Sequence, residues 1–246
     1  MNDLNLSDEV PVSIYVNGDV AATLMCTPED LKDLALGYLL DTGSVEGMTD
    51  ISKISVCNAE REVYVNLRES LKRRPKFSEI ITTACSQGFD YKDAIEGLET
   101  LDSDHAVTIL EIRQAVKRMV KESEKYICHG GIHASALVSE GFFVTREDVG
   151  RHNSHDKVVG RAMQENVDLN ASMIVTTGRI SADMVFKAMN AGVPILCSMS
   201  NPTKLAVDIA HKCRITLVGR CMGKDLTVYT QDERIIDKEI KICLAD

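Results

Sequence analysis

Ser172-Met173-Ile174-Val175-Thr176-Thr177-Gly178-Arg179-Ile180-Ser181 leads through Ala182-Asp183-Met184-Val185-Phe186-Lys187-Ala188-Met189-Asn190-Ala191-Gly192 into Val193-Pro194-Ile195-Leu196-Cys197. The first segment is a short apolar run with the β-branched content of a buried strand, and the last is a second one. Between them Ser181 is placed to cap a helix, Asp183 lies in its first turn, and Asn190-Ala191-Gly192 ends it. A strand, helix, strand unit brings its two strands together in parallel and covers a face of the sheet. Downstream, Pro202-Thr203 opens another helix and Ile215 to Val218 reads as a third strand. Upstream, Ile132 to Val138 and Phe142 to Thr145 are strands joined by the turn Ser139-Glu140-Gly141. A polar loop follows, and then a helix from about Ser154 to Glu165. The fold class is therefore α/β, a parallel or mixed sheet with helices on both faces, whose strand-end loops collect on one edge.

The N-terminal third has a different rhythm. Val12, Ile14 and Val16 alternate with smaller or polar residues, Asn17-Gly18 is a hairpin turn signal, and the apolar run resumes from Val20 to Met25. Thr27-Pro28-Glu29-Asp30 is expected to cap a helix through Leu34, Ala35, Tyr38 and Leu39 that Gly43 closes. Ile51 to Cys57 and Glu62 to Leu67 are two more strands, and the basic stretch from Arg68 to Lys76 is a boundary. Phe77 to Thr83 is strand-like, Asp90 to Asp104 an acidic cover, and Leu110, Ile112, Ala115, Val116, Met119 and Val120 are the apolar positions of a helix of roughly 16 residues. The expected organisation is a smaller α+β subdomain over 1–76 packed on a core over 77–230, with a tail at 231–246.

Composition bounds the function. The chain has 246 residues, 44% hydrophobic and 26% charged, as in a soluble globular protein. No apolar stretch approaches the roughly 20 residues of a membrane span, and the N-terminus lacks a signal peptide pattern, so a cytoplasmic location is expected. The net charge is −9, yet 146–224 holds eleven Lys and Arg against seven Asp and Glu, a net of +4. The remainder has 17 against 30, or −13. Acidity with a local basic region excludes nucleic acid as a partner and suits a small polyanion.

The eight cysteines contain no Cys-x-x-Cys pair. A zinc ribbon and a disulfide framework are thereby excluded. The absence of His-x-Glu and Pro-Cys-x-x-Cys also excludes zinc deaminase chemistry, and no metal is expected. Cys57, Cys197 and Cys213 lie in apolar segments and read as small core residues. Cys85 differs, because Ser86-Gln87-Gly88 places it in a polar turn where nearby cations would make its thiol a nucleophile.

Glu147-Asp148-Val149-Gly150-Arg151-His152-Asn153-Ser154-His155-Asp156-Lys157 is dense in ionisable groups beside core segments, as a site wall would be. Thr177-Gly178-Arg179 ends a strand and can offer backbone N–H groups and a cation to a phosphate. Gly219-Arg220-Cys221-Met222-Gly223-Lys224 reads equally as a plain turn. His133, after Gly130-Gly131, is as easily a core imidazole as a ligand-facing one.

Several of these blocks, in order over roughly residues 10 to 230, resemble the formate dehydrogenase accessory sulfurtransferase family, FdhD. They are Leu34-Ala35-Leu36-Gly37-Tyr38-Leu39, Thr83-Ala84-Cys85, Gly130-Gly131-Ile132-His133-Ala134, Glu147-Asp148-Val149-Gly150-Arg151-His152-Asn153, Asp156-Lys157, Thr177-Gly178-Arg179, Ala191-Gly192-Val193-Pro194-Ile195 and Leu217-Val218-Gly219. The resemblance implies a zinc-free core similar to cytidine deaminase with a smaller appended subdomain. It implies transfer of persulfide sulfur from a cysteine desulfurase to the Mo-bis(molybdopterin guanine dinucleotide) cofactor, for insertion into formate dehydrogenase apoenzyme.

On this resemblance Cys85 carries the sulfur and Arg220, Cys221, Met222, Gly223, Lys224 and Asp225 match the cofactor-binding segment. Arg151, His152, Lys157 and Arg179 are further candidates to compensate the cofactor's charge, with Asn153 and Asp156 to orient His152 or contact guanine. A homodimer is expected. Many members have Cys-x-x-Cys; here the second position is Gly88, so a second thiol would have to come from Cys128 or Cys221. Two rivals are a chaperone that delivers the cofactor without sulfur chemistry and a Cys-His hydrolase using Cys85 with His133 or His152. The sulfur-transfer reading further requires folding to bring Cys85 and the 147–160 block to one cleft.

Overall fold

The computed structural model describes residues 6–68 and 98–236. Cys85, its turn with Gly88, the strand expected at 77–83, most of the acidic 90–104 stretch and the tail from 237 lie outside the described residues.

Among the described residues the strands form two sheets. Strands β1 (Val10–Val16), β2 (Asp19–Cys26), β3 (Ile51–Cys57) and β4 (Glu62–Leu67) form a four-stranded sheet in the order β2-β1-β4-β3. The Asn17-Gly18 turn forms as expected, with φ of 52° and 95° at its two residues, which closes the β1–β2 hairpin. Helix α1 (Leu31–Asp41) follows, but it begins later than expected. Asp30 takes the cap position and Thr27 stays outside, because its backbone and hydroxyl are bound elsewhere.

The larger sheet contains β5 (His133–Ser139), β6 (Phe142–Asp148), β7 (Ser172–Thr176), β8 (Ile195–Ser198), β9 (Thr216–Gly219) and β10 (Thr227–Thr230), in the order β10-β9-β8-β7-β5-β6. Strands β7, β8 and β9 run parallel and the outer pairings are antiparallel, so the sheet is mixed. Helices α2 (Ile109–Glu122), α3 (Glu124–His129), α4 (Arg151–Gln164), α5 (Ala182–Ala191) and α6 (Lys204–Cys213) complete the described α-helices. Neither β10 nor α3 was anticipated. The four residues of β10 and six of α3 are too short for periodicity to distinguish them from connections.

The period of two along the strands sorts side chains into two cores. Leu137, Ile174, Leu196 and Leu217 point into one with residues of α4, α5, α6 and α1, on whose far side the small sheet packs. Ala136, Met173, Val175, Cys197 and Val218 point into the other, covered by Ile112, Val116 and Met119 of α2. The α2 helix is begun by a reciprocal cap, in which Thr108 and Glu111 each bind the other's backbone N–H. Among the described residues no helix is long and apolar enough to cross a membrane.

The block expected as a polar loop is mostly regular structure. Strand β6 runs on to Asp148 and α4 starts at Arg151, three residues before the expected Ser154. Asp148 and the polar side chains from Asn153 to Lys157 are buried, and α1 crosses α4 in backbone contact. A Cβ on Gly37 would lie 1.7 Å from the Asp156 carbonyl oxygen, and one on Gly160 would lie 1.9 Å from that of Asp33. Glycine at both positions lets the two helices touch with no side chain between them.

Candidate functional site

The parallel strands β7, β8 and β9 end along one edge of the larger sheet, where α/β folds place ligands. Because β5 is antiparallel to β7 and β6 to β5, the start of β5 at His133 and the end of β6 at Asp148 reach the same edge. The loops are tied together: Met199 N–H donates to the Thr176 carbonyl, Cys221 N–H to Ser198, and Arg220 N–H to Ser200. Ser198 Oγ donates to the Gly178 carbonyl at 2.6 Å. At ordinary strand spacing the ends of β9 and β7 are about 10 Å apart, and β9 and β6 about 19 Å.

Two candidate residues near β6, Lys157 and Asn153, hold the N-terminal unit, and a third, Asp156, is tied to α5. Lys157 and Asp148 expose no side-chain surface and pair at 2.7 Å. Lys157 Nζ also donates to the carbonyls of Thr27 (3.1 Å) and Glu147 (3.3 Å). Thr27 N–H donates back to Asp148 Oδ2, and Asn153 Nδ2 donates to the Met25 carbonyl and to Asp148 Oδ1. Asp156 is buried and accepts from Lys187 Nζ at 2.6 Å. Among the described residues neither Asn153 nor Asp156 hydrogen-bonds His152, and the Lys157 ammonium is paired with Asp148.

Arg151 and His152 face differently. Arg151 is half-buried, and its Nε is buried without a hydrogen-bond partner. A Cβ on Gly178 would meet Arg151 Cβ at 2.8 Å and His133 Nδ1 at 3.4 Å, so glycine lets this arginine pack against the end of β7. His133 Nδ1 is 3.3 Å from Thr177 Oγ1. His152 Nε2 lies 3.5 Å from Ser181 Oγ and 3.9 Å from Asp183 Oδ2. Ser181 holds the cap position of α5 without a side-chain cap bond.

Both half-buried imidazoles at this edge are shifted toward the neutral form. Burial, then the Lys187, Arg151 and His133 charges, push His152 down to about 3. Burial and then Arg151 lower His133. Behind them Asp41 and His155, wholly buried, are 3.6 Å apart. Desolvation raises the Asp41 carboxyl and then Asp156 raises it further, while desolvation lowers His155. Sequence reasoning did not find Asp41, Lys187 and Asp183, since each lies on a helix whose apolar periodicity dominates its reading.

The remaining candidates are at the surface. Arg179, Arg220, Met222, Gly223, Lys224 and Asp225 are exposed, while Cys221 is buried. Arg220 has φ of 54° and its guanidinium is 3.8 Å from Asp225. Desolvation pushes the Cys221 thiol up to about 12, which disfavours its thiolate. Cys128 is exposed on α3. A separate cavity of about 450 Å³, lined by Val107, Arg118, Phe143 and Met173 among others, includes Ser139, at the opposite end of β5 from His133, and none of the candidate residues lines it.

The arrangement is thus a surface turn with two cations after β9, Arg179 after β7, and a half-buried group of Arg151, His133 and His152 whose Arg151 Nε has no hydrogen-bond partner. The FdhD/NarQ family model matches residues 7–236. The chain belongs to the FdhD/NarQ family. Similar relatives are the "Sulfur carrier protein FdhD" of Staphylococcus aureus strains JH9 and Newman, each 32% identical over 237 residues, covering 94% of this chain and 89% of theirs. A chain from Desulfotalea psychrophila, solved by crystallography and described as a formate dehydrogenase accessory protein, is 27% identical with a TM-score of 0.76. That match covers 94% of this chain and 90% of the other. The α/β fold expected from the strand and helix order is therefore the fold of an FdhD/NarQ protein.

Proposed function

We propose that this chain is a sulfur carrier that serves a formate dehydrogenase. Cys85 accepts sulfane sulfur from a cysteine desulfurase and passes it to the Mo-bis(molybdopterin guanine dinucleotide) cofactor. The observation that carries the reading is likeness over nearly the whole chain to relatives described as sulfur carrier proteins. The sheet edge supports it, because Arg151, Arg179, Arg220 and Lys224 place cations along a line long enough for a nucleotide-bearing anion.

The acceptor step needs no oxidant. A Cys85 thiolate attacks the outer sulfur of the donor persulfide, a new S–S bond forms, the old one breaks, and the donor cysteine leaves as its thiolate. A single acceptor thiol suffices, so Gly88 in place of a second cysteine is compatible with the role.

Loading with a cysteine desulfurase followed by mass spectrometry tests the carrier residue: an additional sulfur is expected on the Cys85 peptide. Sulfane sulfur retained by a Cys85→Ala protein would remove Cys85 from the role. Full maturation of formate dehydrogenase by Cys85→Ser would instead favour delivery of the cofactor without sulfur chemistry.

A further inference from the structure

We propose that the cavity of about 450 Å³ between α2 and the β5–β6 hairpin is a second ligand site, one that takes a small organic ammonium ion with an apolar body. It is remote from the edge assigned to sulfur transfer. Ser139, which lines the cavity, and His133, at that edge, are the two ends of the seven-residue strand β5, about 20 Å apart. The cavity floor is built by strand register: Met173, Val138 and Phe143 are direct partners across β7, β5 and β6, so their side chains stand in a row on one sheet face. Ala115 of α2 faces that row, and Val107, just ahead of the helix, extends the apolar surface. Glu111, Gln114 and Arg118 line the same cavity at the three- and four-residue spacing that keeps them on one side of α2.

The charges around the cavity do not balance. Arg118 is already matched, because its Nε–H is held by Glu122 at 2.7 Å and its guanidinium lies over the Phe143 ring at 3.9 Å. Glu140 reaches the cavity from the β5–β6 turn and has no ion pair or hydrogen bond with any described residue. Glu111 Oε2 accepts from the Thr108 N–H at 2.7 Å and from its hydroxyl at 2.8 Å, which leaves Oε1 for a ligand. Two uncompensated carboxylates at the mouth select a cation, while the apolar floor supplies the affinity. A primary ammonium satisfies both: its three N–H donors meet Glu111, Glu140 and the Gln114 amide oxygen, and its hydrocarbon covers Met173, Val138 and Phe143.

Calorimetric titration of the full chain with phenethylammonium, its neutral counterpart 2-phenylethanol and the anionic 3-phenylpropionate tests the assignment. The ammonium is expected to bind with a Kd of about 1 mM or tighter, the alcohol more weakly, and the carboxylate at least about tenfold more weakly than the ammonium. Because the two carboxylates stand at the mouth, that preference should shrink at about 1 M salt. Glu140→Gln, in an exposed turn, should weaken the ammonium about threefold and leave the alcohol unchanged. Ala115→Leu places a larger side chain in the cavity and should weaken the ammonium and the alcohol alike. Thermal unfolding of both variants checks that the fold is kept. No heat of binding from the ammonium at about ten times the expected Kd would overturn the inference. Equal affinity for ammonium and carboxylate would do the same, as would an ammonium affinity unchanged in a folded form of either variant.

Discussion

Lys157 Nζ lies 2.7 Å from Asp148 Oδ2, and neither side chain exposes any surface to solvent. The pair clamps the backbone of Thr27, which both residues also bind. Removing one partner leaves a buried charge alone, so Lys157→Ala is expected to lose about 3–5 kcal/mol in urea unfolding. Asp148→Leu combined with Lys157→Met should recover much of that loss. Equal stability of Lys157→Ala and wild type would show that the clamp is not a structural requirement.

The α1–α4 crossing makes a second prediction. Gly37→Ala and Gly160→Ala each force a Cβ into a backbone carbonyl under 2 Å away. Nothing flexible lies at either point, so the helices must separate and open the core between them. A loss of about 3 kcal/mol or more per substitution is expected, at the upper end of overpacking costs, seen as a lower urea midpoint. A control at Gly47, where an added Cβ meets nothing, should be near neutral.

Acidification should destabilise the fold. His152 is held down to about 3 and His155 is also lowered, whereas an unfolded imidazole titrates near 6.5. Their stabilising contribution is complete above about pH 6.5 and is lost as pH falls toward their folded values. For His152 this amounts to about 2 kcal/mol between pH 6.5 and 5. Asp41, raised in the fold, acts with the opposite sign and offsets part of the loss. The expected result is a Tm that falls from pH 7 to pH 5, with a shallower slope in His152→Gln; equal slopes would refute the assignment.

Thiol reactivity should separate the described cysteines by burial. Cys128 is exposed, whereas Cys26, Cys197 and Cys221 are buried with their thiols raised by desolvation. Iodoacetamide at pH 8 is therefore expected to label Cys128 within minutes and to leave Cys26, Cys197 and Cys221 unlabelled until denaturant is added. Peptide mass spectrometry gives the order directly. Early labelling of Cys221 would reopen it as a partner thiol for Cys85.

Much of the architecture was legible locally. The β7–α5–β8 unit, the Asn17-Gly18 hairpin, and the strands 51–57 and 62–67 follow from periodicity and turn chemistry acting over a few residues. The block at 147–160 was legible as unusual but not as to its purpose. Dense polarity beside a core has two physical solutions, an open site or a satisfied buried network, and they are alike in one dimension. Arg151 and His152 stay half-buried at the sheet edge, while Asn153, Asp156 and Lys157 are buried and bound to other protein groups.

What the sequence by itself determined is the α/β class, the strand ends that share an edge, and the family. Which charges are free was decided only by tertiary structure. Lys157 and Arg220 are equally cationic as letters; one is cancelled by Asp148 with no exposed surface, and the other stands at the surface 3.8 Å from Asp225. That difference is made by residues distant in the chain, because Thr27, Asp148 and Lys157 meet only after α1 and α4 have closed on their two glycines. Electrostatic availability depends on desolvation and partners, and both are properties of packing rather than of local sequence.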